Sequence, residues 1–233
     1  DLLAVATDAA GNVYLAGLTR SAGSIASAGA HLVVAPGGRN AFLAKFNNAG
    51  VRQWATYYGG TGNDFGLSVA TDAAGNVYLA GYTSSTTGIS TVGSHQAALG
   101  GSDDAFVVKF NAAGLRQWGT YYGGTGSDIG YSVTTDGAGN VFLAGTTASV
   151  AGIATAGAHQ VANAGLGDNF LVKFNTAGVR QWATYHGGPD TEDLANVACD
   201  PAGNVHLVGQ TLSTTGIATA GAHQVANAGD DVC

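Results

Sequence analysis

The chain of 233 residues has no methionine, two cysteines and three prolines, and only 10% of its residues are charged. Cys199 and Cys233 are too few for a disulfide framework and do not fit the spacing of a zinc site. A Cys199–Cys233 bridge and a pair of unpaired thiols both satisfy the sequence. Eight basic residues stand against fifteen acidic ones, for a net charge of −7. Six of the basic residues (Lys45, Lys109, Lys173, Arg52, Arg116 and Arg180) are evenly dispersed, so no basic patch exists to hold nucleic acid. The longest apolar runs, such as Ala105-Phe106-Val107-Val108, fall far short of a membrane span. Gly-x-Ser-x-Gly is missing, neither cysteine has a base beside it, and no carboxylate pair stands out. No catalytic residue, metal ligand set or cofactor is therefore expected. The chain begins without methionine and carries no secretory leader, which reads as a processed or excised piece of something longer.

What is abundant is order of one period. Arg-Gln-Trp occurs at 52–54, 116–118 and 180–182, a spacing of 64 residues with no insertion between Trp54 and Trp182. Asp8, Asp72, Asp136 and Asp200 keep the same register, as do His31, His95, His159 and His223. A fixed period of this kind means an array of one supersecondary unit. The 38 glycines recur in register, so they read as turns and not as disorder. The units are 1–64, 65–128, 129–192 and a partial 193–233.

Within the second unit, 68–71 reads as a short strand and Asp72-Ala73-Ala74-Gly75-Asn76 as a turn, with Asp bonding forward onto backbone amides. Val77–Thr83 returns as a strand rich in aromatic and β-branched residues. A polar stretch, 84–104, is too long for a tight hairpin. Ala105–Phe110 forms the third strand, with Phe106, Val108 and Phe110 on one face at period two. Asn111-Ala112-Ala113-Gly114 turns the chain into a fourth strand, 115–122. Four short antiparallel strands, apolar on both faces in the middle pair, describe sheets that pack between neighbours. The expected fold is all-β: a β-propeller of four-stranded antiparallel blades, about three and a half repeats long.

Three segments carry a family resemblance: Gly-Asn-Val-Tyr-Leu-Ala-Gly-Tyr-Thr (75–83), Asp-Ala-Phe-Val-Val-Lys-Phe-Asn (104–111) and Thr-Tyr-Tyr-Gly-Gly-Thr-Gly-Ser-Asp (120–128). With their counterparts in the other units they resemble the bacterial β-propeller repeats called SBBP. The family commonly has an aromatic residue before the loop glutamine, where this chain has His95, His159 and His223. The resemblance implies a piece of a large secreted or surface-attached bacterial protein in an adhesive or scaffolding setting, with no shared catalytic residues to transfer.

Candidate functional residues divide by position. Trp54, Trp118 and Trp182, one per unit in a fourth strand, suit packing between blades better than a sugar platform. The Asp-x-x-Gly-Asn turns offer one acid each, too few for calcium. The Gly-Gly-Thr-Gly-x-Asp segments lack the spacing and the following helix of a phosphate loop. The long loops between second and third strands are placed on one rim, where His31, His95, His159 and His223 join Asp64, Asp104, Asp128 and Asp168 as a candidate ligand-binding set. Anchoring of each loop by its histidine is the competing reading. Departures from the repeat (His186, Glu192, Cys199 and His206) are the remaining place for asymmetric chemistry.

The resemblance implies a non-enzymatic extracellular scaffold or adhesive surface, with a glycan- or protein-binding lectin-like propeller as the alternative. Its expected partners are further blades of a parent chain or other copies, which would complete the ring, and a glycan or protein ligand. Exposed blade faces at both ends of the arc promote association. Light scattering on the isolated chain should therefore reveal self-association. A stable monomer would contradict the incomplete ring.

Overall fold

In the computed structural model, residues 1–227 and 231–232 are described, and every regular element is a strand. Four sheets follow in sequence order. The first holds β1 (Leu2–Thr7), β2 (Val13–Thr19), β3 (Asn40–Phe46) and β4 (Arg52–Tyr58). The second holds β5 (Asp64–Thr71), β6 (Val77–Thr83), β7 (Asp104–Phe110) and β8 (Arg116–Tyr122). The third holds β9 (Asp128–Thr135), β10 (Val141–Thr147), β11 (Asp168–Phe174) and β12 (Arg180–His186). The fourth has β13 (Glu192–Cys199), β14 (Val205–Thr211) and the two-residue β15 (Asp231–Val232). Each sheet is an antiparallel meander in chain order, and its first strand packs on the first strands of its neighbours. Those first strands are innermost, the arrangement of propeller blades, and the arc they form is open. The question of a Cys199–Cys233 bond lies outside the described residues, since Cys233 is not among them.

The inner strands start earlier than the sequence suggests. β5 begins at Asp64 and not at 68, one residue ahead of the expected unit boundary. The reason is Gly66, which reads as loop but lies inside the strand. A Cβ there would sit 3.0 Å from Gly17 O and from Leu79 Cδ1, so glycine lets the inner strand approach the preceding blade.

The chain has no single core. Tyr14, Ala16, Ala41, Leu43 and Tyr58 of the first sheet meet Val69, Leu79, Phe106 and Phe110 of the second. The same set shifted by one unit, with Tyr78, Ala80, Val107 and Tyr122 against Val133, Leu143, Phe170 and Phe174, joins the second sheet to the third. A third cluster, containing Phe142, Leu171, Ala195 and Val197, joins the third to the fourth. Stability is thus distributed over repeated interfaces, as in other arrays. Val5, the counterpart of buried Val69, lies on the outward face of the first sheet and is 64% exposed.

The long loop leaves the top of its second strand and folds back along the free edge of its own fourth strand. Thr91 N donates to Gly119 O, Gln96 N to Thr120 Oγ1, and Tyr121 N to Gln96 O. The first and third units repeat the pattern, with Ser27 N on Ala55 O and Thr155 N on Ala183 O. Each outer edge, which would otherwise offer unpaired amides, is thereby covered.

One row of side chains fastens each blade to the next. Lys109 pairs across the strands with Tyr78 on one side and Trp118 on the other. Its ammonium lies 5.4 Å from the Tyr78 ring centroid and 4.0 Å from Asp72 Oδ2. Trp118 Nε1 and Lys109 Nζ both donate to Thr176 O, in the hairpin turn of the following blade, at 3.1 and 3.3 Å. Trp54 and Lys45 do the same to Ala112 O at 3.0 and 3.3 Å. Gly178 and Gly114 adopt φ of +80° and +79°, and a Cβ on either would meet the indole at 2.7 Å. Turn glycine and tryptophan therefore fit as a pair. Trp182 packs on Phe142 and is 37% exposed; its counterpart turn would fall beyond residue 233. Urea unfolding of Trp118→Ala should lose about 2–3 kcal/mol, and Trp182→Ala clearly less. Equal losses would show that the indole does not join blades.

Candidate functional site

The four candidate aspartates are the first residues of their strands, and all four are fully buried. Asp64 and Asp128 begin inner strands. Asp128 accepts from Gly124 N and Ser149 Oγ, both at 2.8 Å, and from the Thr147 hydroxyl. Asp64 repeats this with Gly60 N, Ser85 Oγ and the Thr83 hydroxyl. The carboxylate thereby fixes the blade-to-blade connection and the start of the long loop in one knot. Asp104 and Asp168 begin third strands. Asp104 accepts from Gln96 Nε2 at 2.6 Å, Gly100 N at 2.8 Å and Gly101 N at 3.2 Å. Burial pushes the carboxyls of Asp64, Asp104, Asp128 and Asp168 upward, and the hydrogen bonds they accept hold them partly down.

These residues are not independent along the ring. A Cβ on Gly123 would lie 2.5 Å from Asp128 Oδ2 and 2.9 Å from Asp104 Oδ1, so two acids from adjacent blades converge over that glycine. Gly187 stands in the same relation to Asp168 Oδ1 and Glu192 Oε2. The sequence reading found no distinctive carboxylate pair, because each pair is built from residues 24 positions apart on different blades. It also passed over Gln96 and Gln160. Each donates to its aspartate and accepts from the amide of the paired glycine, Gly123 at 2.9 Å or Gly187 at 3.0 Å. A signal existed: the first unit has Leu32 in place of the glutamine and Asn40 in place of the aspartate.

Two of the loop histidines are packed between aromatic rings. His31 is set between Tyr58 and Phe110, at ring centroid distances of 6.0 and 5.9 Å. His95 is set between Tyr122 and Phe174 at 5.8 and 6.0 Å. Both belong to loops that lie along the blade edges, whereas the four aspartates begin strands. Burial, reinforced by Arg116 and Arg180 respectively, lowers both imidazoles to about 4. His159 faces His186 at 6.0 Å, and His223 is exposed.

The departures from the repeat separate into two ends of the fourth blade. Glu192 is buried, accepting from Gly188 N at 3.0 Å and the Thr211 hydroxyl at 2.7 Å. At the opposite end, His206 lies 3.8 Å from Asp200, and Cys199 is half-buried. Among the described residues, no group of three histidine, cysteine or carboxylate side chains is gathered as a metal site would require. The larger concavity, about 380 Å³, lies between His186 and the loop residues Ser213–Ala218 and Gln224–Asn227. A second, about 240 Å³, is walled by Trp118, Gln117, Thr91 to Ser94 and Gly178.

The glutamine–aspartate coupling predicts a double-mutant cycle in the second unit. Gln96→Leu should cost about 1–3 kcal/mol, because Asp104 loses a donor in a buried site. The cost should shrink by about 1 kcal/mol when Asp104→Asn is also present, as in the first unit. Denaturant unfolding of the four variants gives the coupling, and additive losses would remove it.

Residues 53–88 and 117–150 match the family model SBBP, described as the beta-propeller repeat. The chain is also similar to an uncharacterized WD repeat-containing protein of Acanthamoeba polyphaga mimivirus, 24% identical over 194 residues. That similarity spans 69% of this chain but 14% of the viral protein, so the chain corresponds to a small part of that relative's length. The two matched segments fall at equivalent places in the first-to-second and second-to-third units, on sheets whose meander order is that of propeller blades. Within those two segments the chain carries the SBBP β-propeller repeat.

Proposed function

We propose that this chain is a non-enzymatic repeat module that serves as a scaffold or adhesive surface within a larger extracellular or surface-attached bacterial protein. The observation that carries the proposal is where its polar side chains go. The repeated acids, Ser85 and Ser149, Thr83 and Thr147, and Gln96 and Gln160 are used up in holding loops and blade connections. A framework whose repeated polar groups are engaged in this way has little left to perform chemistry and much to keep a rigid shape. Further blades, from a parent chain or from other copies, are the partners that would cover the exposed faces at Val5 and Val208.

A lectin-like activity is the second reading, favoured by the groove with Trp118 on its wall and Gln117, Thr91 and Ser94 around it. An indole edged by hydroxyl and amide groups is the usual dress of a sugar subsite. A glycan array separates the two: the scaffold predicts no saturable binding, and the lectin predicts binding lost on Gln117→Ala with the fold intact. Turnover of ester, glycoside or phosphate substrates that disappears in His186→Ala or Glu192→Ala would overturn the non-enzymatic reading.

A further inference from the structure

Two blade junctions bury two carboxyl groups against each other, and the other junction buries one. Between the second and third sheets Asp104 Oδ1 and Asp128 Oδ2 converge over Gly123. Between the third and fourth, Asp168 Oδ1 and Glu192 Oε2 converge over Gly187. Between the first and second, Asp64 has Asn40 as its counterpart. All of these side chains are at most 1% exposed.

No cation neutralises the pairs. The ion pairs among the described residues join Lys109 to Asp72, Lys173 to Asp136 and His206 to Asp200, all at other places. Around Asp104 and Asp128 stand Gln96 from the loop, the amides of Gly100, Gly101 and Gly124, the hydroxyls of Thr147 and Ser149, and the phenols of Tyr121, Tyr122 and Tyr185. Around Asp168 and Glu192 stand Gln160, the amides of Ala164 and Gly188, the Thr211 hydroxyl, Tyr185 and His186. Burial, with His159 nearby, favours neutral His186.

One oxygen exposes what is missing. Asp168 Oδ1 is buried with no hydrogen-bond partner among the protein groups, and both it and Glu192 Oε2 lie within 2.5 Å of the place a Gly187 Cβ would take. Two buried carboxylates brought this close would repel strongly. A proton held between them removes one charge and supplies the absent hydrogen bond. Position 40 shows the repeat accommodating a neutral group there: asparagine has the shape of the protonated acid, and its Nδ2 donates to Gly37 O.

We infer that the pairs Asp104–Asp128 and Asp168–Glu192 each hold one shared proton in the folded chain, forming acid-dependent latches between the second and third and between the third and fourth blades. The sign follows from linkage. Unfolded carboxyls release their protons near pH 4, so the folded chain binds up to two protons more than the unfolded one above that pH. Stability contributed by the latches is full below about pH 4 and is lost as pH rises through the titration of the folded pairs. Within that window each retained proton changes the folded-to-unfolded ratio by up to about ten-fold per pH unit. His31 and His95 work the other way, since buried neutral imidazoles lose stability as pH falls from their unfolded value towards 4. Only a difference between variants isolates the latches.

The test is urea unfolding of the 233-residue chain and of Asp104→Asn/Asp168→Asn from about pH 4 to pH 8. The latch predicts that the variant gains on the wild type as pH rises, with its advantage largest at the alkaline end. A difference that stays constant with pH overturns the proposal. Should the variant fail to fold, infrared spectra of the wild type at neutral pH decide, because a protonated buried carboxyl has its own carbonyl band, lost on titration to higher pH. Absence of that band also overturns it. Calcium or magnesium that raises the wild-type midpoint, but not that of the variant, would assign the pairs to a metal and remove the proton.

Discussion

The structure depends on one contact made from blade to blade: an indole N–H and a lysine ammonium meeting the same turn carbonyl of the next sheet. A single blade has apolar faces on both sides and could not bury either alone. The row Tyr78–Lys109–Trp118 supplies hydrophobic area, a cation over an aromatic face and a directional hydrogen bond at one place. Because the acceptor is a backbone carbonyl in a turn shaped by glycine, the next blade needs only the right conformation to receive it. That explains why Arg-Gln-Trp and Asn-x-x-Gly recur together in this chain.

A second set of contacts works at the opposite end of the blades. There, buried carboxylates take amides and hydroxyls from the connection and the loop, and glutamine ties the loop to the glycine ahead of the next strand. Indoles at one end and acids at the other make each interface a two-point attachment. The two ends differ in physical character. The indole end joins apolar area to a lysine held near an aspartate, whereas the acid end gathers buried carboxyls that no lysine or arginine pairs among the described residues.

The fold was legible because the period converted 233 residues into one problem of 64. Strand Val77–Thr83 coincides with its sequence reading, and the third strand differs by one residue. The inner strand was cut short in that reading because Gly66 looks like a turn until the neighbouring backbone is in place. The site was less legible. His95 and Asp104 share a loop, yet the loop's return along its own strand sends one between aromatic rings and the other into a polar knot. The carboxyl pairs arise only when successive blades are brought together, so no local pattern records them. The exchange of glutamine and aspartate for Leu32 and Asn40 was visible, and only the geometry gives it meaning.

The covered edge has a consequence for how such a chain can vary. The loop is held to its strand at Thr91 and Gln96, while the tip between them carries Val92, fully exposed, beside Gly93 at φ +78°. A peptide grafted at that tip would lie between the two anchoring bonds, on the wall of the groove that Trp118 and Gly178 also line. The outer perimeter thus provides one site per unit where sequence can diversify, at a regular spacing, on a frame that need not change.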